Sequence, residues 1–188
     1  MFDKQSVRKQ VQEELAKLNK PRYEDYSYKI ANRLYKDEDW IQANVIAITV
    51  SRMPEVDTYQ IIRKAWEQGK QVVVPKCLPK GKQLVFRTIK SFSQLESVYY
   101  GLFEPIEQIT TKVEVDRIDL IIVPGLAYTS DGYRIGFGGG YYDRLLSHFS
   151  GNTLSLAFNE QIIPHFPIED HDIPVLKIIT TDRTITIK

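Results

Sequence analysis

The sequence predicts a three-layer α/β/α fold built on a mostly parallel, Rossmann-like sheet. Short, largely apolar runs (44–50, 71–74, 118–123 and 153–158), the first of them rich in β-branched residues, alternate with stretches whose apolar residues recur at helical spacing. That alternation is the pattern of βαβ units. These runs are predominantly apolar, as strands buried on both faces are. A third observation is a glycine-rich turn, Arg134-Ile-Gly-Phe-Gly-Gly-Gly-Tyr-Tyr-Asp143, between a strand-like run and an amphipathic helix.

Length and composition narrow the class. With 188 residues the chain is expected to form one domain, 1–188, with a sizeable core. A formal charge of +1 creates no field that would draw nucleic acid or anionic lipid over the whole surface, so neither partner is expected. The single cysteine, Cys77, has no intrachain partner and no zinc or redox set around it. The apolar runs 45–50 and 120–124 are too short to span a bilayer. The opening Met1-Phe-Asp-Lys-Gln carries no signal-peptide core, so a cytoplasmic protein, monomeric or weakly dimeric, is expected.

Residues 3–19 read as a helix capped by Asp3. At 100° per residue Val7, Val11, Leu15 and Leu18 form one stripe; Lys4 falls within it and Arg8 at its edge. A basic pair on an inward face either snorkels past the core to water or meets a negative partner such as phosphate. Residues 21–39 read as a second helix, with Tyr23, Ser27, Ile30, Ala31 and Leu34 inward and Trp40 near its end. A buried strand at 44–50 leads through Ser51-Arg-Met-Pro-Glu-Val-Asp57 to a helix at 58–68, with Ile61, Ile62, Ala65 and Trp66 inward. Gly69 stops that helix, and the next strand, 71–74, is closed by Pro75. Glu55 therefore lies just past the carboxyl end of a strand, where open α/β sheets bind ligands.

Gly81 marks a turn and 83–89 a further strand. Residues 91–105 are aromatic and irregular, with Phe92, Tyr99, Tyr100 and Phe103 before Pro105. The strand at 118–123, a loop at 124–133, the glycine turn and a helix to about Phe149 follow. A strand at 153–158, a polar connection at 159–174, and one or two short strands within 178–187 complete the chain.

The glycine turn is where the chemistry concentrates. Gly136, Gly138, Gly139 and Gly140 remove Cβ atoms where a backbone turns sharply or approaches a ligand. A helix opening there directs free N–H groups at that ligand and favours an anion. Arg134 adds a fork of donors suited to phosphate. The P-loop and the dinucleotide fingerprint are both excluded, because Tyr141 and Tyr142 stand where those motifs need Lys-Ser/Thr or a small residue. Asp143, in the first helical turn, either complements the helix dipole or holds a Mg²⁺ ion between itself and a polyphosphate. His148 reads as a helix-end residue; His165 and the Asp170-His171-Asp172 group resemble a metal cluster but sit in a polar connection, which favours a solvated loop. No Ser-His-Asp or Cys-His order suggests a covalent nucleophile.

Pro124-Gly-Leu-Ala-Tyr followed by Asp131-Gly-Tyr-Arg-Ile-Gly-Phe-Gly-Gly-Gly-Tyr-Tyr-Asp143 resembles the signature of 5-formyltetrahydrofolate cyclo-ligases, also called methenyltetrahydrofolate synthetases. The resemblance extends to Lys4 and Arg8, Glu55-Val-Asp-Thr58, Leu156-Ala-Phe158 with Gln161, and His171-Asp-Ile-Pro174. It implies ATP- and Mg²⁺-dependent cyclisation of 5-formyltetrahydrofolate to 5,10-methenyltetrahydrofolate. The formyl oxygen would attack the γ-phosphate of ATP, and N10 would then close the ring as phosphate leaves.

The implied roles follow the matching positions. ATP would be held by Lys4, Arg8, Arg134, Gly136, Gly138, Gly139, Gly140, Tyr141 and Tyr142. Arg134 and Asp143 would be catalytic, with Asp143 the metal ligand. Folate would meet Glu55, Tyr100, Phe86 and Tyr142. The chain departs from the pattern where some relatives carry basic residues in the turn, at Phe137 and Gly139. It departs again at Thr129, where the family often has an aspartate, so that aspartate's role is not carried over. The residues alone also admit a sugar-phosphate isomerase or CoA-transferase-like enzyme on a similar sheet, or a non-catalytic nucleotide- or folate-binding regulator.

Overall fold

A computed structural model describes residues 3–187; Met1 and Phe2 of the opening segment, and Lys188, lie outside the described residues. Helix α1 (Lys4–Leu15) begins at Asp3, whose carboxylate accepts the Ser6 N–H at 2.7 Å. It stops short of residue 19 because Asn19 already caps α2 (Lys20–Leu34), accepting the Arg22 N–H at 3.0 Å, with a proline in the first turn of that helix. The second helix ends early for the same reason: Asp37 caps a separate short helix, α3 (Glu38–Gln42). Strand β1 (Val45–Ala47), helix α4 (Tyr59–Glu67) and strand β2 (Gln71–Leu78) form the expected βαβ unit.

Strand β2 continues through Pro75. Its last pairing with β1 joins Val73 to Ala47, so the missing N–H of Pro75 costs no rung on that side. It folds back as β3 (Gln83–Ile89), and the aromatic stretch forms a small hairpin of β4 (Leu95–Ser97) and β5 (Phe103–Pro105). Then come β6 (Thr111–Val113), β7 (Leu120–Ile122) and a ribbon of β8 (Ala127–Tyr128) with β9 (Arg134–Ile135). Helix α5 (Tyr141–Leu146), β10 (Asn152–Ala157), β11 (Lys177–Thr180) and β12 (Thr184–Thr186) complete the fold.

The main sheet runs β12-β11-β10-β7-β1-β2-β3-β6. The five strands from β11 to β2 are parallel, and antiparallel strands flank them on both sides. Alternation along the strands sorts their side chains between two cores. Ile46, Val72, Leu120 and Leu154 face α1, α2 and α4; Ala47, Val73, Ile121 and Ala157 face the layer that contains α5. From β1 the chain crosses to β2 on one side, and from β7 to β10 on the other. Between β1 and β7 the strand order thus reverses, and the carboxyl ends of these strands diverge to leave a crevice.

Candidate active site

The crevice at that reversal is a pocket lined by Thr49, Ser51, Glu55, Val123, Gly125, Tyr128 and Gln161 among others. The loop after β1 is shaped by reciprocal bonds: the Ser51 N–H donates to Thr58 Oγ1 at 2.8 Å, and the Thr58 N–H donates to Ser51 Oγ at 2.9 Å. This closure presents Glu55, whose Oε2 accepts the Arg52 N–H at 2.7 Å. Burial raises the Glu55 pKa above its ordinary value, although the Arg52 N–H and guanidinium act in the opposite sense. Gln161 braces the opposite wall, accepting the Phe158 N–H at 2.8 Å and donating to the Leu126 carbonyl at 2.9 Å.

A second pocket adjoins the first, sharing Glu55, Gly125 and Gln161 and adding Gln12, Leu15, Arg52, Met53 and Phe137. Helix α1 therefore roofs the cleft, and the glycine turn enters it through Phe137. Gly138 (φ 96°) and Gly140 (φ 69°) adopt left-handed backbone that a side chain would strain. The Arg8 Nε–H donates to the Gly136 carbonyl at 2.9 Å, so the inward-facing arginine of α1 lies on the turn.

Arg134 and Asp143 sit differently from the expectation. Arg134 is buried, with Nη1 donating to the Ile173 carbonyl at 2.6 Å and Nη2 to Asp143 Oδ1 at 2.9 Å. The same Oδ1 accepts the Ile173 N–H at 3.1 Å. Arg134 is thus a strut that fixes Asp143 beneath the turn, not a free hand for phosphate. Lys4 meets carboxylates: its Nζ lies 2.7 Å from Asp172 Oδ2 and 3.4 Å from Glu169 Oε2. Glu169, His171 and Asp172 gather ligand atoms within 4.8 Å of one another; the sequence pointed instead to His165 with Asp170-His171-Asp172, so Glu169 takes the place of His165 and Asp170. Burial raises the Asp172 pKa, but the Lys4 bond and the Glu169 N–H outweigh it, and the net direction is downward.

Three expectations change. Phe86 pairs with Pro75 and Val113 in the sheet and is 1% exposed, a core residue under α5 instead of a folate wall. Tyr142 is half-buried against that same core, and burial pushes its phenol pKa well up. The helix after the turn has six residues and ends at Leu146, so its dipole is small. Ser147 ends it by donating its hydroxyl back to the Arg144 carbonyl at 2.7 Å.

Tyr141 lies over Gly139 and lines an outer groove with Lys82, Arg144 and His148. Tyr100 projects into solvent, but Arg52 binds its carbonyl and so ties its loop to the cleft mouth. Phe92 of the aromatic stretch packs instead on Tyr59 and Trp66, with ring centroids 5.0 and 4.9 Å apart. Sequence reasoning gave Gln161 no bracing role and missed Tyr128 in the pocket. A tyrosine directly after the apolar run 120–127 was the available signal for the latter.

Comparison with known proteins points to one family. The profile of the 5-formyltetrahydrofolate cyclo-ligase family matches residues 1–181. The chain is 29% identical over 157 residues to the 5-formyltetrahydrofolate cyclo-ligase of Escherichia coli strain K12, covering 81% of this chain and 86% of that protein. It is 26% identical over 190 residues to the mouse (Mus musculus) protein of the same name, covering 95% and 94%. The NMR structure of Aquifex aeolicus 5,10-methenyltetrahydrofolate synthetase aligns with a TM-score of 0.86 at 28% identity, covering 98% of this chain and 93% of that one.

Proposed function

We propose how this chain, which belongs to the 5-formyltetrahydrofolate cyclo-ligase family, carries out the ATP-dependent conversion of 5-formyltetrahydrofolate to 5,10-methenyltetrahydrofolate. The observation that supports the assignment of residues is the shared cleft: Phe137 of the glycine turn and Glu55 of the β1 loop line one pocket. A nucleotide's terminal phosphates on the turn would then face a folate held at Glu55. We read residues 1–188 as one catalytic domain, since a single eight-stranded sheet takes in both β1 and β12.

In this reading the turn amides, Arg8 and Lys4 hold the ATP phosphates. Lys4 exchanges Asp172 and Glu169 for phosphate oxygens, and Arg134 keeps Asp143 in place. The formyl oxygen on N5 attacks the γ-phosphorus, and ADP leaves. N10 attacks the activated carbon and gives up its proton; the carbon–oxygen bond then breaks, and phosphate departs with the former formyl oxygen. Such phosphoryl transfer depends on alignment and charge neutralisation more than on covalent help from the protein.

The donor set suits Mg²⁺. Asp143 keeps its second oxygen clear of the two bonds on Oδ1, and Asp172, next to the Ile173 N–H that Asp143 binds, already holds a cationic ammonium. Hard carboxylate oxygens completed by phosphate and water are the usual Mg²⁺ environment. Asp143 and Asp172 would hold the ion, which when bound neutralises phosphate charge.

Incubating the protein with ATP, Mg²⁺ and 5-formyltetrahydrofolate should give the methenyl chromophore with one ADP per turnover. An isomerase or transferase would release no folate-dependent ADP, and a binding module would not turn over. Lys4→Ala should raise the KM for ATP about tenfold or more, the loss of a charge-assisted hydrogen bond. The KM for folate should stay near wild type, while the melting temperature should fall by a few degrees, because the side chains of Lys4 and Asp172 are only 20% and 8% exposed and the carboxylate loses its cation. A larger change in the folate KM would place Lys4 at the wrong end of the cleft.

A further inference from the structure

The floor of the cleft carries a polar atom that the mechanism leaves unused. Tyr128 is 0% exposed, yet its hydroxyl forms no hydrogen bond of normal length and angle, although the Ser155 hydroxyl lies near enough to counter part of the burial effect on the phenol. The neighbouring Ser155 hydroxyl gives its own proton to the Val123 carbonyl at 2.7 Å. A buried hydroxyl without a partner is uncommon and unfavourable, so it calls for a reason.

Its position supplies one. Tyr128 lines the pocket that contains Glu55, and a Cβ added at Gly125 would stand 2.8 Å from the phenol oxygen. Glycine at 125 therefore leaves the hydroxyl room beside a residue common to both halves of the cleft. The hydroxyls of Ser51 and Thr58 and the amide of Gln161 are committed to backbone groups. Burial pushes the phenol pKa up, so the group is a neutral donor at any working pH.

The substrate's pterin edge presents three adjacent groups: the 2-amino group and N3–H, both donors, and then the 4-oxo group, an acceptor. If Glu55 takes the two donors, the 4-oxo oxygen is carried out of water beside them and needs a donor of its own. We propose that Tyr128 is a specificity-determining residue for the folate, its O–H donating to the pterin 4-oxo oxygen while Glu55 binds the neighbouring N–H groups. This rests on the folate reading of Glu55.

Tyr128→Phe removes one oxygen and keeps the ring. It should raise the KM and Kd for 5-formyltetrahydrofolate about three- to tenfold, the loss of one neutral hydrogen bond. The KM for ATP should be unchanged, and the melting temperature equal to or above wild type, since an unpaired buried hydroxyl is gone. In infrared difference spectra of the folate complex, the C4 carbonyl stretch should move to higher wavenumber in the variant. An unchanged folate affinity, an unmoved carbonyl stretch, or a lowered melting temperature with normal folate affinity would each overturn the assignment. A wild-type protein without folate turnover would instead remove the reading on which it rests.

Discussion

An Arg134→Met protein should melt about 5–10 °C below wild type and lose nearly all activity. The side chain is 3% exposed and carries two bonds, to the Ile173 carbonyl and the Asp143 carboxylate. Removing it leaves the carboxylate with one N–H partner in a mostly buried site and orphans the carbonyl. Breaking a buried ion pair costs about 3–5 kcal/mol, and the 24% exposure of Asp143 lowers that to roughly 2–3 kcal/mol. Catalysis should fall as well, because Asp143 loses the strut that holds it beneath the turn. Thermal unfolding alongside steady-state kinetics checks both. A variant of wild-type stability whose only defect is a raised KM for ATP would make Arg134 the free phosphate-binding group that the sequence suggested.

Glu55→Gln should lower kcat/KM for the folate about 10²- to 10³-fold, because two charge-assisted hydrogen bonds become a mismatched amide contact. Stability should not fall. Burial raises the folded-state pKa of Glu55, so folding disfavours its charged form. That penalty is complete at pH values above the folded pKa and fades as pH falls through it; a neutral amide never incurs it. In the wild type, the folate KM should climb as pH falls, with its inflection above the ordinary glutamate value of 4.5. A Gln variant with wild-type folate kinetics would place the pterin elsewhere.

Much of the fold could be read because its signals are local. Apolar runs marked the parallel strands, the Asp3 cap marked α1, and the stripe of Val7, Val11 and Leu15 marked its buried face. The glycine turn declared itself by composition and by Arg8, whose place at the edge of that stripe becomes a bond to Gly136.

What escaped depends on distant partners. Arg134 looked like a phosphate ligand until the fold brought Ile173, thirty-nine positions on, against it. Lys4 and Asp172 are separated by 168 positions, and no pattern in either segment announces their contact. Phe86 occupies a strand whose burial rises and falls without strict alternation, so the sequence could not say which layer it faces. Strands β4, β5 and β6 have three residues each, too few for a period to show. Tyr128 reads as one more core aromatic, and only the fold shows that it lines the pocket.

The central claim is that the turn with Lys4 and Arg8 delivers a γ-phosphoryl group to the formyl oxygen of a folate held at Glu55. Its most direct test is a single turnover with 5-formyltetrahydrofolate labelled with ¹⁸O in the formyl group, followed by mass analysis of the released phosphate. The account predicts one ¹⁸O atom in each phosphate formed and none in ADP. Unlabelled phosphate, with the heavy oxygen found in water, would contradict it.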